Sequence, residues 1–214
     1  NNAHRVFNIN SGVTAEISGL AIGNGYLSSG AGGGIQNAGN LTLSSTSVVS
    51  NSASQYGGGI YNTGSLTLTG ATILSNTCAG GDGGGVYNYQ GTVLITGTTI
   101  AGNTGSSGGG LMNYGTLRVF GSTVVSNTAP GINFGGSGGG IFNGEGVTLT
   151  LANATIMNNT AKTGGGIYNM GKATAANVTL VGNGASTSGG GINNTSPTSE
   201  LSLTQSSLSG NSGG

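Results

Sequence analysis

Side chains capable of acid–base, nucleophilic or metal chemistry are few in this chain of 214 residues. The acidic residues, the single histidine and the single cysteine are Glu16, Asp82, Glu145, Glu200, His4 and Cys78. Polysaccharide hydrolysis needs two neighbouring carboxylates, and a calcium site needs a cluster of oxygen ligands. The four carboxylates fall in different repeats and at different positions within them, so we expect that they do not converge. The sequence therefore predicts no enzyme, no catalytic residue, no metal and no cofactor.

Two isolated features near residue 80 have alternative interpretations. Asp82 stands among glycines (residues 80–85), as in a calcium-binding nonapeptide. That motif repeats its aspartate every nine residues, and this segment contains one, so calcium is not predicted by this route. Cys78 follows Asn76 by two residues, where other repeats have alanine. This spacing favours a small inward side chain over a reactive thiol.

The charge content excludes two classes of partner. Four basic and four acidic residues give a net charge of zero, and charged residues make up 4% of the chain. Nucleic acids and anionic lipid surfaces are bound through clusters of Lys and Arg, which this composition does not supply. No apolar run approaches the roughly 18 to 20 residues that span a bilayer. We therefore expect neither nucleic-acid binding nor membrane insertion.

The elements that must position these side chains follow from an internal repeat. Three glycines, an aliphatic residue, a variable residue and Asn recur seven times, at intervals of 25, 26, 25, 30, 26 and 25 residues. These asparagines are Asn37, Asn62, Asn88, Asn113, Asn143, Asn169 and Asn194. The long interval indicates an insertion around Pro130 to Gly136. A second phrase, aliphatic-x-x-Asn, keeps the same register and ends at Asn51, Asn76, Asn103, Asn127, Asn159, Asn183 and Asn211.

Short alternating segments such as Leu41-Thr42-Leu43 lie between the two phrases and have the period of two that is typical of strands. One repeat of this size cannot enclose a core, but stacked repeats bury a continuous apolar column. Parallel crossovers are right-handed in about 98% of cases. The sequence predicts an all-β fold, a right-handed single-stranded parallel β-helix or solenoid, of about 8 coils of about 25 residues. We expect three short strands per coil and one domain over residues 1–214.

Three inward columns are predicted. The first contains the aliphatic residue after each glycine triplet, and the third contains the aliphatic residue three positions before each second-phrase Asn. The second column is predicted to contain Leu43, Leu68, Ile95, Val119, Leu149, Ala175 and Leu203. Together these columns would form the apolar interior of the rod.

The asparagines and glycines also have structural interpretations. A row of Asn could bind a ligand, but stacked Asn amides can instead hydrogen-bond to one another and to the turn backbone. We expect both Asn rows to be such ladders. The glycine triplets are expected to supply positive φ angles and room for close backbone approach. No Lys-Ser or Lys-Thr follows them, so they are not phosphate-binding loops.

At these phrases the chain resembles a known group of proteins. Gly-Gly-Gly-Ile-Tyr-Asn at 57–62, followed by Leu66-Thr67-Leu68 and Ile73-x-x-Asn76, resembles the β-helical repeat of secreted bacterial surface proteins. It is also similar to the polymorphic outer-membrane protein repeats of chlamydiae, in which Ala replaces the third Gly and Phe replaces the aliphatic residue. The resemblance implies an extracellular or cell-surface location and a scaffold or adhesion role.

Two outward columns are candidate contact surfaces. A hydroxyl column is predicted from Ser47, Thr72, Thr99, Thr123, Thr155, Thr179 and Ser207. Threonine columns on β-solenoids resemble ice-binding surfaces, although Thr is also a common outward strand residue. A second column contains Tyr61, Tyr87, Phe142 and Tyr168. Its rings could stack on sugars or contact a protein, or they could stack on one another and stabilise the rod.

These observations favour a non-catalytic structural or adhesive module of the bacterial cell surface or extracellular matrix. The alternatives are a polysaccharide-binding or polysaccharide-processing β-helix and an ice-binding protein. The possible partners are carbohydrate, a host or cell surface, adjoining domains, or the chain itself. Neither terminus supplies a polar cap, so we expect the termini to meet another domain of the polypeptide or an identical subunit stacked head to tail.

Overall fold

The computed structural model describes residues 4–131 and 135–213, and the described residues form 29 strands and no helix. The first fifteen strands are β1 (Phe7–Ile9), β2 (Thr14–Ser18), β3 (Ala21–Gly23), β4 (Tyr26–Leu27), β5 (Ile35–Asn37), β6 (Asn40–Ser44), β7 (Ser47–Val49), β8 (Ser52–Ala53), β9 (Ile60–Asn62), β10 (Ser65–Thr69), β11 (Thr72–Leu74), β12 (Thr77–Cys78), β13 (Val86–Thr96), β14 (Thr99–Ala101) and β15 (Leu111–Phe120). The remaining strands are β16 (Thr123–Val125), β17 (Thr128–Ala129), β18 (Ile141–Asn143), β19 (Thr148–Ala152), β20 (Thr155–Met157), β21 (Thr160–Thr163), β22 (Ile167–Asn169), β23 (Lys172–Ala176), β24 (Thr179–Val181), β25 (Gly184–Ser188), β26 (Ile192–Asn194), β27 (Glu200–Thr204), β28 (Ser207–Ser209) and β29 (Ser212–Gly213). In this part of the chain no helix is available that could cross a membrane.

All 29 strands pair in parallel with the equivalent strands of neighbouring coils and form a β-solenoid of about eight coils. Its first wall is a 14-stranded sheet, its second wall is an 8-stranded sheet, and its third wall is divided into sheets of three and four strands. Each complete coil contributes two segments to the first wall, for example β5 and β6, and these fuse in β13 and β15. The predicted three-sided coil is thus built from four strand segments in most coils.

The corner between the third and first walls explains the glycine triplets. The first glycine of each triplet has a φ between +59° and +70°, a left-handed conformation that costs glycine little. The second glycine has an ordinary φ but no room for a side chain. A Cβ on Gly109 would lie 2.5 Å from the carbonyl oxygen of Thr128 and 2.6 Å from that of Gly139 in the next coil. The triplet therefore combines a conformational requirement with a steric one.

The apolar interior follows the predicted columns, with one correction. Ile35, Ile60 and Ile141 of the first column and Val48, Ile73 and Ile100 of the third are fully buried. In the second column Val119 pairs with Leu151, not with Leu149, which pairs with Leu117. The prediction of Leu149 was wrong because the turn after Asn143 is longer: Leu151 follows Asn143 by eight residues, whereas Val119 follows Asn113 by six. Both leucines point inward and are buried.

Burial of the inward columns is incomplete in the last described coil. Leu203 and Leu208 belong to the second and third columns, but they are 38% and 47% exposed in the last described coil. The insertion predicted around Pro130 to Gly136 falls partly on residues 132–134, which lie outside the described residues. The expectation about the termini falls partly on residues 1–3 and 214, which also lie outside them.

Replacing Gly109 with alanine should destabilise the rod by about 1 to 3 kcal/mol, because the added methyl group must push two coils apart. The matched control is Gly184→Ala. Gly184 has no positive φ, and the atom nearest to its added Cβ would be Ser212 Oγ at 3.6 Å. The midpoint of chemical denaturation should fall for Gly109→Ala and stay equal or rise for Gly184→Ala. Equal midpoints for the two variants would show that the corner has room for a side chain.

Candidate functional site

The two Asn rows form continuous ladders of side-chain hydrogen bonds. In the row from Asn37 to Asn194, each Nδ2 donates to the Oδ1 of the Asn in the next coil over 2.7 to 2.9 Å. In the row from Asn51 to Asn211 the corresponding distances are 2.9 to 3.0 Å. The predicted ladders are therefore present along both corners of the rod.

The amides of the second row use both donors and accept two bonds. Asn76 Nδ2 donates to the carbonyl of Val48 at 2.9 Å and to Asn103 Oδ1 at 3.0 Å. Its Oδ1 accepts from both the backbone N–H and the Nδ2 of Asn51. Asn76 is fully buried, and among the described residues no buried side-chain nitrogen or oxygen lacks a partner. Asn76 consequently has no hydrogen-bonding capacity left for a ligand.

The aromatic column lies on the outer face of the first wall. Tyr61, Tyr87, Met112, Phe142 and Tyr168 occupy equivalent positions in five successive coils. Where the column has Met112, the ring of Tyr114 bridges the gap, with its centroid 6.0 Å from that of Tyr87 and 5.8 Å from that of Phe142. Tyr87 and Phe142 are only 6% and 7% exposed. The column therefore consists mainly of rings that contact one another, and the parts accessible to solvent lie along its sides.

A groove of about 640 Å³ runs beside this column. One side comes from the segments that precede the glycine triplets and includes Tyr56, Asp82 and Ser107, and the other side includes Tyr114 and Phe142. Tyr56 and Asp82 occupy equivalent positions in neighbouring coils and pair through a parallel bridge. The Tyr56 ring lies 4.8 Å from that of Tyr87 and is 41% exposed. The groove thus combines an exposed ring with a carboxylate.

The electrostatics of the groove depend on Asp82. Its Oδ1 accepts the backbone N–H of Ser107 at 2.9 Å. Burial raises the pKa of Asp82, and this hydrogen bond opposes the rise because it stabilises the charged form. Burial, followed by the charge of Asp82, raises the pKa of Tyr114. The hydroxyl of Tyr114 is therefore neutral at physiological pH, as an ordinary tyrosine is, and can both donate and accept a hydrogen bond.

Sequence reasoning missed Tyr56 and did not place Asp82 beside the aromatic column. Tyr56 stands immediately before a glycine triplet, and Asp82 stands immediately before the next one. That shared position was the signal that could have identified them as neighbours.

The hydroxyl column is in register on the second wall. Ser47, Thr72, Thr99, Thr123, Thr155, Thr179 and Ser207 pair successively through seven coils. The adjacent outward column runs from Ala101 to Val125 and Met157 in consecutive coils. Side chains of such different size make this face uneven beside the hydroxyls. The geometry therefore lacks the second regular row that a flat lattice-matching surface would need.

Two of the four carboxylates line a common surface depression. Glu145 and Glu200 line one surface depression of about 350 Å³ together with Lys172. Lys172 Nζ lies 2.8 Å from Glu200 Oε2, in a pair whose side chains are more than 60% exposed. Glu145 lies in the lengthened turn after Asn143, and Lys172 and Glu200 begin β23 and β27 of the two following coils. Among the described residues, no three His, Cys, Asp or Glu side chains form a possible metal cluster.

Cys78 occupies the small inward position predicted for it. It pairs with Ala53 of the preceding coil and is 1% exposed. Burial raises the pKa of its thiol to about 12. The thiolate is the nucleophilic form, so this cysteine is unreactive in the folded chain.

Comparisons with known proteins found no match: no family model fits the chain, and neither curated proteins nor solved structures are significantly similar to it. The likeness to bacterial surface repeats consequently depends on the sequence phrases and on the solenoid architecture that they predict. Architecture alone does not define a function.

Replacing Asn76 with leucine should destabilise the chain by about 1 to 3 kcal/mol, because it leaves the buried backbone N–H of Asn51 without its acceptor and removes one hydrogen bond each from Asn51 Nδ2, Asn103 Oδ1 and the carbonyl of Val48. Asn40→Leu, at an exposed strand position, is the control and should change stability little. Thermal unfolding followed by circular dichroism measures both. An unchanged melting temperature for Asn76→Leu would contradict the structural role of the ladder.

Proposed function

We propose that this chain is a non-catalytic structural and adhesive module of the bacterial cell surface or extracellular matrix. The proposal rests on the difference between the interior of the rod and its outer flank beside the aromatic column. The polar groups of the interior are engaged in ladders, whereas the flank displays a groove with accessible aromatic and polar side chains. A rigid rod that exposes such a groove is suited to holding a partner in place.

The composition supports the same role. A rod of about eight coils is roughly 38 Å long at a coil spacing of about 4.8 Å. Its neutral charge leaves no electrostatic basis for nucleic-acid binding. The resemblance of the repeat to bacterial surface proteins supports an extracellular location.

Ice binding is a weaker candidate, because the column next to the hydroxyls contains Leu74 and Met157, which interrupt a flat surface.

Antibodies raised against the chain should label intact, unpermeabilised cells of the organism that produces it, or the matrix around them. A cytoplasmic protein released by lysis in the same samples is the control. Labelling that appears only after permeabilisation would contradict the proposed location, whatever the chain binds.

Incubation with pectin, alginate, chitin or neutral glucans should release no reducing ends. The reason is that Asp82 has no second carboxylate beside it in its groove, and Glu145 and Glu200 lie in an exposed depression with Lys172. The variants Asp82→Asn and Glu145→Gln serve as matched controls. Turnover by the unmodified chain that either variant abolishes would contradict the non-catalytic assignment.

A further inference from the structure

The groove beside the aromatic column is elongated along the rod. The segments that line it come from four successive coils, at residues 54–56, 80–82, 106–107 and 135–137. Three coil spacings of about 4.8 Å give a length of about 14 Å. A polymer lying parallel to the rod axis fits this shape better than a compact ligand, because each of the four coils contributes the equivalent segment to the groove, although the side chains differ.

Charge restricts the class of polymer. Among the described residues that line the groove, none is Lys or Arg, and Asp82 supplies the one carboxylate. The only ion pair in the described part of the chain, Lys172 with Glu200, lies elsewhere. A polyanion such as a uronic-acid polymer or a nucleic acid would meet Asp82 without a compensating cation. The occupant should therefore not be a polyanion.

The residues that line the groove restrict the class of polymer further. Tyr56 offers an exposed ring, and Tyr114 a half-buried one, for stacking against the apolar face of a sugar. The Asp82 carboxylate is held by the Ser107 N–H and can accept hydrogen bonds from neighbouring sugar hydroxyls, which are strengthened by its charge. A few convergent polar groups beside apolar surface are typical of ligand sites.

We propose that the groove binds an extended strand of a neutral polysaccharide, with sugar rings against Tyr56 and Tyr114 and sugar hydroxyls on Asp82. This assignment rests on the proposed adhesive function and names its ligand class. A pyranose unit is comparable in length to the coil spacing of about 4.8 Å, so successive sugars meet equivalent positions in successive coils. The strand is held without being cleaved.

Isothermal titration calorimetry of the unmodified chain tests this with cellohexaose, mannohexaose and N-acetylchitohexaose, each beside its disaccharide. Hexagalacturonate is the anionic probe. At least one neutral hexasaccharide should bind, with at least tenfold higher affinity than its disaccharide, and hexagalacturonate should not bind. Absence of binding by all three neutral hexasaccharides, equal affinity for disaccharide and hexasaccharide, or preferential binding of hexagalacturonate would overturn the assignment.

The variants Tyr56→Ala and Asp82→Asn locate the site. Each should weaken binding of the neutral hexasaccharide at least tenfold while leaving the melting temperature nearly unchanged. Tyr89→Ala is the matched control, because Tyr89 is 43% exposed but does not line the groove, and it should retain full affinity. Binding that survives both groove substitutions would place the ligand elsewhere. Failure of these titrations leaves the surface labelling and the reducing-end result unaffected, so the two proposals are tested separately.

Discussion

The close approach of each coil to the next along the rod axis is the constraint on which the rest of the structure depends. Backbone hydrogen bonds continue from coil to coil even through the sharp corners, as in the bond of 3.0 Å from Gly58 N–H to Gly83 carbonyl. Because equivalent atoms must meet at this spacing in every coil, a side chain that does not fit in one coil disturbs the coils on both sides of it. Glycine at the corner and Asn at the ladders are the residue types that satisfy this demand.

The same constraint separates structure from function. The interior accepts aliphatic side chains and amides that bond to their own equivalents, and the described chain buries no unpartnered polar side-chain atom. Groups that differ from coil to coil are tolerated on the outside. Tyr56 and Asp82 share one position in neighbouring coils, yet one is aromatic and the other acidic. The groove that they line is therefore a local departure from the repeat, built on a scaffold that follows it.

The repeat made the solenoid and the two ladders predictable, because each Asn recurs at a fixed distance from an aliphatic residue. Features that depend on turn length were not predictable in this way. Leu149 was predicted at the position that Leu151 occupies, because the turn after Asn143 is longer than its equivalents. The left-handed conformation of Ser126, at φ 54°, has no signal in its own residue type, but the equivalent position is Gly102 in the preceding coil and Gly182 two coils later, both with positive φ.

The direction of the Asn amides has an electrical consequence. In both ladders the side-chain bonds between asparagines run in one direction, from Nδ2 to the Oδ1 of the Asn in the following coil. Aligned amide dipoles add, and chains of hydrogen bonds polarise one another in a medium of low dielectric constant. Each ladder consequently contributes an axial dipole, negative toward the first coils and positive toward the last. The two ends of each ladder are thus electrostatically distinct, so the Asn rows give the rod a direction.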